Sequence, residues 1–146
     1  MSVLAENKKA YFNYEVLGTY EAGIELFGFE VKAIKAGQAN LTGAFALIRG
    51  GEAWLTNMDV PAYQAKNTPA GYEPTRTRRL LLTKKEIKEI VGIMQAKKLN
   101  LVPLKLFTKN NLVKVSLGLS RSKKKFDKRE TIKRRETDRN LRRITG

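Results

Sequence analysis

The stretch LVPLKLFTKNNLVKVSLGL, residues 101–119, decides the fold. Val113, Val115, Leu117 and Leu119 recur at every second position with Lys114 on the opposite face, the period of a half-buried strand. Leu101 to Phe107 is a second apolar run, and Lys109-Asn110-Asn111 between the two is a tight polar turn. The chain therefore closes its body with two strands, and a mainly β protein is expected.

Working outward, Thr83 with Glu86 three residues later is a capping box, and Ile87, Ile90, Val91 and Met94 follow the spacing of an amphipathic helix. Leu80-Leu81-Leu82 before it predicts a buried strand. Residues 60–77 hold Pro61, Pro69, Gly71 and Pro74 with no sustained period, which predicts a long surface loop. Arg76 and Arg78 at its end alternate onto one face, suited either to a phosphate backbone or to solvated edge charges. Asn40 to Ile48 and Ala53 to Asp59 flank Arg49-Gly50-Gly51-Glu52 and predict a hairpin, with Phe45 and Trp54 expected in the core. Gly28 to Ala36 predicts a short helix stopped by Gly37, and Ala10 to Leu26 alternates as a strand bent near Gly18. Short antiparallel strands with two or three flanking helices suggest an OB-type β-barrel over residues 1–119, although periodicity alone also allows an open α+β sheet.

The chain has 146 residues and a net charge of +15, with no Cys and no His. That removes disulfides, thiolate nucleophiles, imidazole bases and the usual zinc ligands. Neither a carboxylate metal array nor a Gly-rich phosphate loop occurs, so neither an enzyme nor a cofactor is expected. Met1 to Lys9 lacks a signal-peptide core and no apolar run reaches membrane-spanning length, which predicts a soluble cytoplasmic chain. The body carries seventeen Lys and Arg against ten Asp and Glu, so a polyanionic partner is expected beyond the tail.

Residues 120–146 carry twelve Lys and Arg against four Asp and Glu. On a helical wheel Lys128, Arg129, Lys133, Arg135, Arg139, Arg142 and Arg143 share one half, while Asp127, Glu130 and Asp138 take the other. Ile132, Leu141 and Ile144 form no apolar stripe, so nothing holds such a helix on a core. The tail is expected to be disordered alone and helical when phosphates neutralise its basic face; a solubilising tail, a localisation signal and a lipid-binding patch are the competing readings.

Several pieces in order carry a specific resemblance: Asn7-Lys8-Lys9-Ala10, Glu21-Ala22-Gly23-Ile24 through Glu30-Val31-Lys32, Gly51-Glu52-Ala53, Pro74-Thr75-Arg76-Thr77-Arg78-Arg79-Leu80-Leu81-Leu82, Lys109-Asn110, and Asp127-Lys128-Arg129 with Ile132-Lys133. Over residues 7–144 the chain resembles the small protein B family, the SsrA-binding proteins of bacterial trans-translation. The resemblance implies an OB-type barrel that binds the tRNA-like domain of transfer-messenger RNA. It also implies delivery of that RNA, with elongation factor Tu and GTP, to stalled ribosomes by a monomer with no membrane contact. It implies RNA-facing roles for Asn7, Tyr14, Glu21, Leu81 and Lys114, supported by Lys8, Lys9, Arg76 and Arg78. Without the resemblance Glu21 reads as an ordinary outward strand residue. For the tail, it implies that Lys123, Lys124, Lys125, Phe126, Asp127, Lys128, Arg129, Lys133, Arg135 and Ile144 enter the decoding centre and the empty messenger channel. Phe126 stands where many relatives have His, so a contact there would rest on stacking. Thr145 replaces a bulky terminal residue.

Overall fold

The computed structural model describes residues 2–63 and 68–123. Among them the elements run β1 (Ser2–Glu6), α1 (Lys8–Asn13), β2 (Tyr14–Ile24), α2 (Gly28–Lys35), β3 (Phe45–Arg49), β4 (Glu52–Thr56), β5 (Arg78–Leu81), α3 (Lys84–Lys97), β6 (Asn100–Lys109) and β7 (Leu112–Ser122). The strands form one sheet in the order β1-β6-β7-β2-β5-β4-β3, antiparallel throughout. The sheet curls until β3 lies beside β6, with no ladder between them among the described residues. The result is an OB-type barrel with one seam, and the alternative of a flat open sheet is set aside.

The alternation in β7 behaves as expected. Val113, Val115, Leu117 and Leu119 are buried in the main core with Ala22, Ile24, Leu80, Leu55, Leu101 and Leu106, while Lys114 faces outward. Asn110 and Asn111 turn the β6–β7 hairpin with φ of 51° and 65°, a pair of left-handed positions that matches strand twist. Gly50 and Gly51 do the same for β3–β4. Thr83 and Glu86 make the expected reciprocal cap on α3, whose Ile90 is fully buried. Ile87, Val91 and Met94 are only half-buried because they line an apolar cleft of about 1280 Å³ at the seam, shared with α1, β3 and the start of β6. The Tyr20 hydroxyl donates to Glu89 Oε1 at 2.5 Å, tying α3 to β2 and pushing the phenol up to about 12.

Several expectations are corrected. Ala10 to Leu26 is not one strand: residues 8–13 are α1, because the Asn7 side chain caps the helix and tertiary contacts override the alternation of Phe12 and Tyr14. The bend near Gly18 is present as a bulge between Val16 and Gly18. Residues 2–6, for which no element is expected, form edge strand β1 on β6. The first strand of the middle hairpin starts at Phe45 rather than Asn40, and Phe45 is 45% exposed instead of packed in the core. In the Leu80–Leu82 run only Leu80 is fully buried, since strand geometry turns Leu81 outward. Strand β7 continues to Ser122 with Ser120 buried, so the barrel passes the expected boundary at Leu119.

The largest correction concerns Arg76 and Arg78, which do not form an outward phosphate-binding pair. Arg78 is fully buried, and both arginines converge on Glu30 of α2, itself fully buried. Arg78 donates from Nε to Glu30 Oε2 at 2.8 Å, and Arg76 Nη2 donates to Oε1 at 2.6 Å. The Phe27 N–H donates to Oε1 at 2.8 Å, and the Tyr72 hydroxyl lies 2.9 Å from both Oε2 and the Val60 carbonyl oxygen. Arg78 also donates to the carbonyls of Met58, Arg76 and Pro74, at 2.8, 3.1 and 2.9 Å. These contacts clamp the long loop onto the barrel.

Burial pushes the Glu30 carboxyl up, but Arg76, the Phe27 N–H and Arg78 outweigh it and hold the group below the usual carboxylate range. A depressed folded pKa stabilises the fold above the unfolded pKa, and this contribution disappears as pH falls through the folded value. Urea titrations should therefore show stability declining on the acid side, with a shallower decline in Glu30→Gln. Arg78→Ala, which strands a buried carboxylate, should cost about 3–5 kcal/mol in the same measurement at neutral pH.

Candidate nucleic-acid interface

Pairing register assigns the residues of the outer sheet face. Lys114 of β7 stands opposite both Phe107 of β6 and Gly23 of β2; Gly23 stands opposite Leu81 of β5, and Phe107 opposite Val3 of β1. Directly opposed residues share a face, so Leu81, Gly23, Lys114, Phe107 and Val3 form one row across five strands. Leu81 is 47% exposed and Val3 52% exposed, while Phe107 is covered, with Lys105 Nζ 5.7 Å from its ring centroid. Gly23 has a packing reason: a Cβ there would lie 3.2 Å from Leu81 Cβ. Without one, the floor between Leu81 and Lys114 is low, and Leu81 leans over it.

A second row runs from Glu21 through Ser116 to Lys105 and Glu6. Glu21 is exposed and accepts from Lys109 Nζ at 3.1 Å. Leu112, 60% exposed, extends the face toward the β6–β7 turn. The face thus combines lysines, exposed aliphatic groups and one outward carboxylate near its centre. Lysines suit phosphates, the aliphatic groups suit sugar and base planes, and the carboxylate can accept from a 2′-OH or a base amino group.

Helix α1 covers one end of this face. Ala10 packs with Val102 and Leu104, and half-buried Tyr14 and Val16 join them in a small cluster separate from the main core. The helix is placed by Asn7, which is 4% exposed. Its Oδ1 accepts the Ala10 N–H at 3.3 Å, and its Nδ2 donates to the Pro103 carbonyl at 3.0 Å. The Asn7 N–H donates to the Leu104 carbonyl at 2.8 Å. Pro103 and Leu104 sit where the β6–β7 register shifts, so Asn7 satisfies carbonyls at an irregular point of the sheet. Asn7 is therefore a buried anchor, Lys8 and Lys9 are exposed on the helix, and Tyr14 is half-buried beneath it.

Of the implied RNA-facing residues, the fold brings Glu21, Leu81 and Lys114 onto one face, with Lys8 and Lys9 on the helix at its end. It places Arg78 in the interior and Arg76, 26% exposed, in the Glu30 cluster, its guanidinium 4.3 Å from the Phe27 ring centroid. Reading the sequence missed Lys105, Lys109, Gly23 and Leu112. The two-residue period linking Lys105, Phe107 and Lys109 was a usable signal, but the partner strand was not. Lys123 closes the described chain beside α1: its N–H donates to the Asn13 carbonyl at 2.9 Å and its Nζ to the Tyr11 carbonyl at 3.2 Å. Lys124, Lys125, Phe126, Asp127, Lys128, Arg129, Lys133, Arg135 and Ile144 lie outside the described residues.

Among the described residues no group of His, Cys, Asp and Glu could hold a metal ion, and no helix is long and apolar enough to cross a membrane. Asn7→Ala removes the cap on α1 and takes the side-chain donor from the Pro103 carbonyl, while the backbone bond to Leu104 is kept, so it should destabilise the protein by about 2 kcal/mol in urea unfolding. Amide exchange should quicken first in residues 8–13.

Comparison with known proteins adds sequence identity to this geometry. A family model described as SmpB protein matches residues 4–146. The SsrA-binding protein of Gloeothece citriformis is 51% identical over 141 residues, covering 97% of this chain and 91% of its own length. Its counterpart in Mesoplasma florum is 52% identical over 137 residues, covering 94% and 92%. A solved chain from the work described as "tmRNA-SmpB: a journey to the center of the bacterial ribosome" superposes with a TM-score of 0.67 at 45% identity, covering 86% of this chain and 87% of that one.

Proposed function

The chain belongs to the SmpB family, and on that premise we propose that it binds transfer-messenger RNA and takes it to stalled ribosomes in trans-translation. The observation that carries the reading is the outer row of Leu81, Gly23 and Lys114 beside Glu21, a face suited to a folded RNA. It offers no helix or ribbon shaped for a major groove. Contacts to 2′-OH groups, phosphates and unstacked bases fit it better than sequence readout of a duplex. The RNA element engaged is the tRNA-like domain, with Glu21, Leu81, Lys114, Lys8 and Lys9 in contact, Tyr14 supporting α1, and Asn7 holding the helix in place.

The tail from residue 124 onward acts separately. Its basic half engages ribosomal RNA at the decoding centre and in the messenger channel, and an intact messenger excludes it by occupying the same space. Elongation factor Tu joins through the aminoacylated RNA rather than through the barrel. The protein works as a cytoplasmic monomer, and its part in the pathway is binding and delivery rather than catalysis.

The test is equilibrium binding of the full chain, and of a chain ending at Lys123, to the tRNA-like domain and to an ordinary tRNA across a salt series. The shortened chain should keep its preference for the tRNA-like domain while losing tagging on stalled ribosomes. If both RNAs bind the shortened chain alike, the barrel is not the selective element. Leu81→Glu should weaken the tRNA-like domain at least tenfold without changing thermal stability.

A further inference from the structure

The Lys109–Glu21 ion pair crosses the proposed RNA face diagonally. Lys109 lies two residues past Phe107 on β6, Glu21 lies two residues before Gly23 on β2, and Phe107 and Gly23 both stand opposite Lys114. The bridge from Lys109 Nζ to Glu21 Oε2, 3.1 Å, therefore spans the row that a bound RNA would cover. Both side chains are well exposed, at 48% and 39%, so the pair contributes little to folding and opens at little cost. The backbone under Lys109 is held firmly. Lys35 of α2 donates from Nζ to the Asn111 carbonyl and to Asn111 Oδ1, at 3.3 and 3.1 Å, pinning the turn that follows.

We propose that Lys109 is a specificity-determining residue that changes partner when RNA binds. In the free protein Glu21 holds it; on the cognate RNA it moves to a phosphate, while Glu21 accepts from a 2′-OH or a base amino group. The inference rests on reading this face as the RNA site. An unpaired lysine attracts any polyanion, whereas one beside a carboxylate presents little net charge. A strand that offers only phosphates gains Lys109 but leaves Glu21 facing like charge. A folded RNA that offers a phosphate and a donor at matching positions satisfies both groups. The pair thus discriminates against non-cognate polyanions as well as contributing contacts.

The experiment compares the full chain with Glu21→Gln, Lys109→Met, the double variant and Leu81→Glu. Each binds the tRNA-like domain and a twelve-residue oligouridine in a salt series. Glu21→Gln should tighten oligouridine binding and steepen its salt slope by about 0.7, the increment for one freed cation on a single strand. The double variant should return oligouridine binding to the starting value. Lys109→Met should weaken binding of the tRNA-like domain about tenfold and lower its salt slope by about one, while weakening oligouridine much less, since that strand loses no cognate contact and meets only the bared Glu21 carboxylate. Unchanged oligouridine binding by Glu21→Gln, or equal weakening of both RNAs by Lys109→Met, overturns the exchange. Leu81→Glu separates the two failures. If it weakens the tRNA-like domain while the Lys109 result is negative, only the exchange is wrong; if it too has no effect, the face is not the RNA site.

Discussion

A carboxylate buried between two guanidinium groups organises this barrel. Glu30 belongs to α2, Arg76 and Arg78 to the loop end and start of β5, and Tyr72 to the loop between them. Burying that carboxylate is costly in isolation, and its ionised form persists because five donors surround it. The consequence reaches well beyond the cluster. Strand β5 is four residues long, yet among the described residues it alone joins the β3–β4 hairpin to β2. Locking Arg78 in place keeps that short strand in register and points Leu81 outward above Gly23.

The same sheet therefore does two jobs on its two faces. Inward residues build one apolar core, and outward residues build a mixed basic and aliphatic surface with a carboxylate near its centre. Two irregularities divide that outer surface. Register shifts at Val16–Gly18 and Pro103–Lys105 accommodate α1 and the small cluster beneath it, so one end is covered and the rest stays open. Asn7 couples the halves by capping α1 and bonding the Pro103 carbonyl.

Local patterns were legible wherever the relevant interactions lie within a few residues. The Thr83–Glu86 cap, the Gly50–Gly51 and Asn110–Asn111 turns and the alternation of β7 all have this character, and each appears in the structure. Strand periodicity failed at Ala10 to Asn13, where a short helix is set by a cap and by packing on Val102 and Leu104, about ninety residues away. Arg76 and Arg78 misled for a related reason. Their alternation does put them on one side of the strand, but the partner that draws them inward, Glu30, lies 46 and 48 residues earlier. Phe45 misled in the opposite sense, being apolar and yet 45% exposed beside the open cleft at the seam.

By itself the sequence determined a mainly β body, the positions of its turns and of helix α3, the charge that calls for a polyanionic partner, and the family. Charge, turn propensity and side-chain period are properties of neighbouring residues, and a linear reading captures them. Only the tertiary structure decided that Asn7 is a buried anchor of α1, that Arg78 is interior, and that Lys109 meets Glu21 across a face neither residue marks alone. Those facts depend on strand register and on which groups are removed from water together, and both are set by contacts between distant parts of the chain.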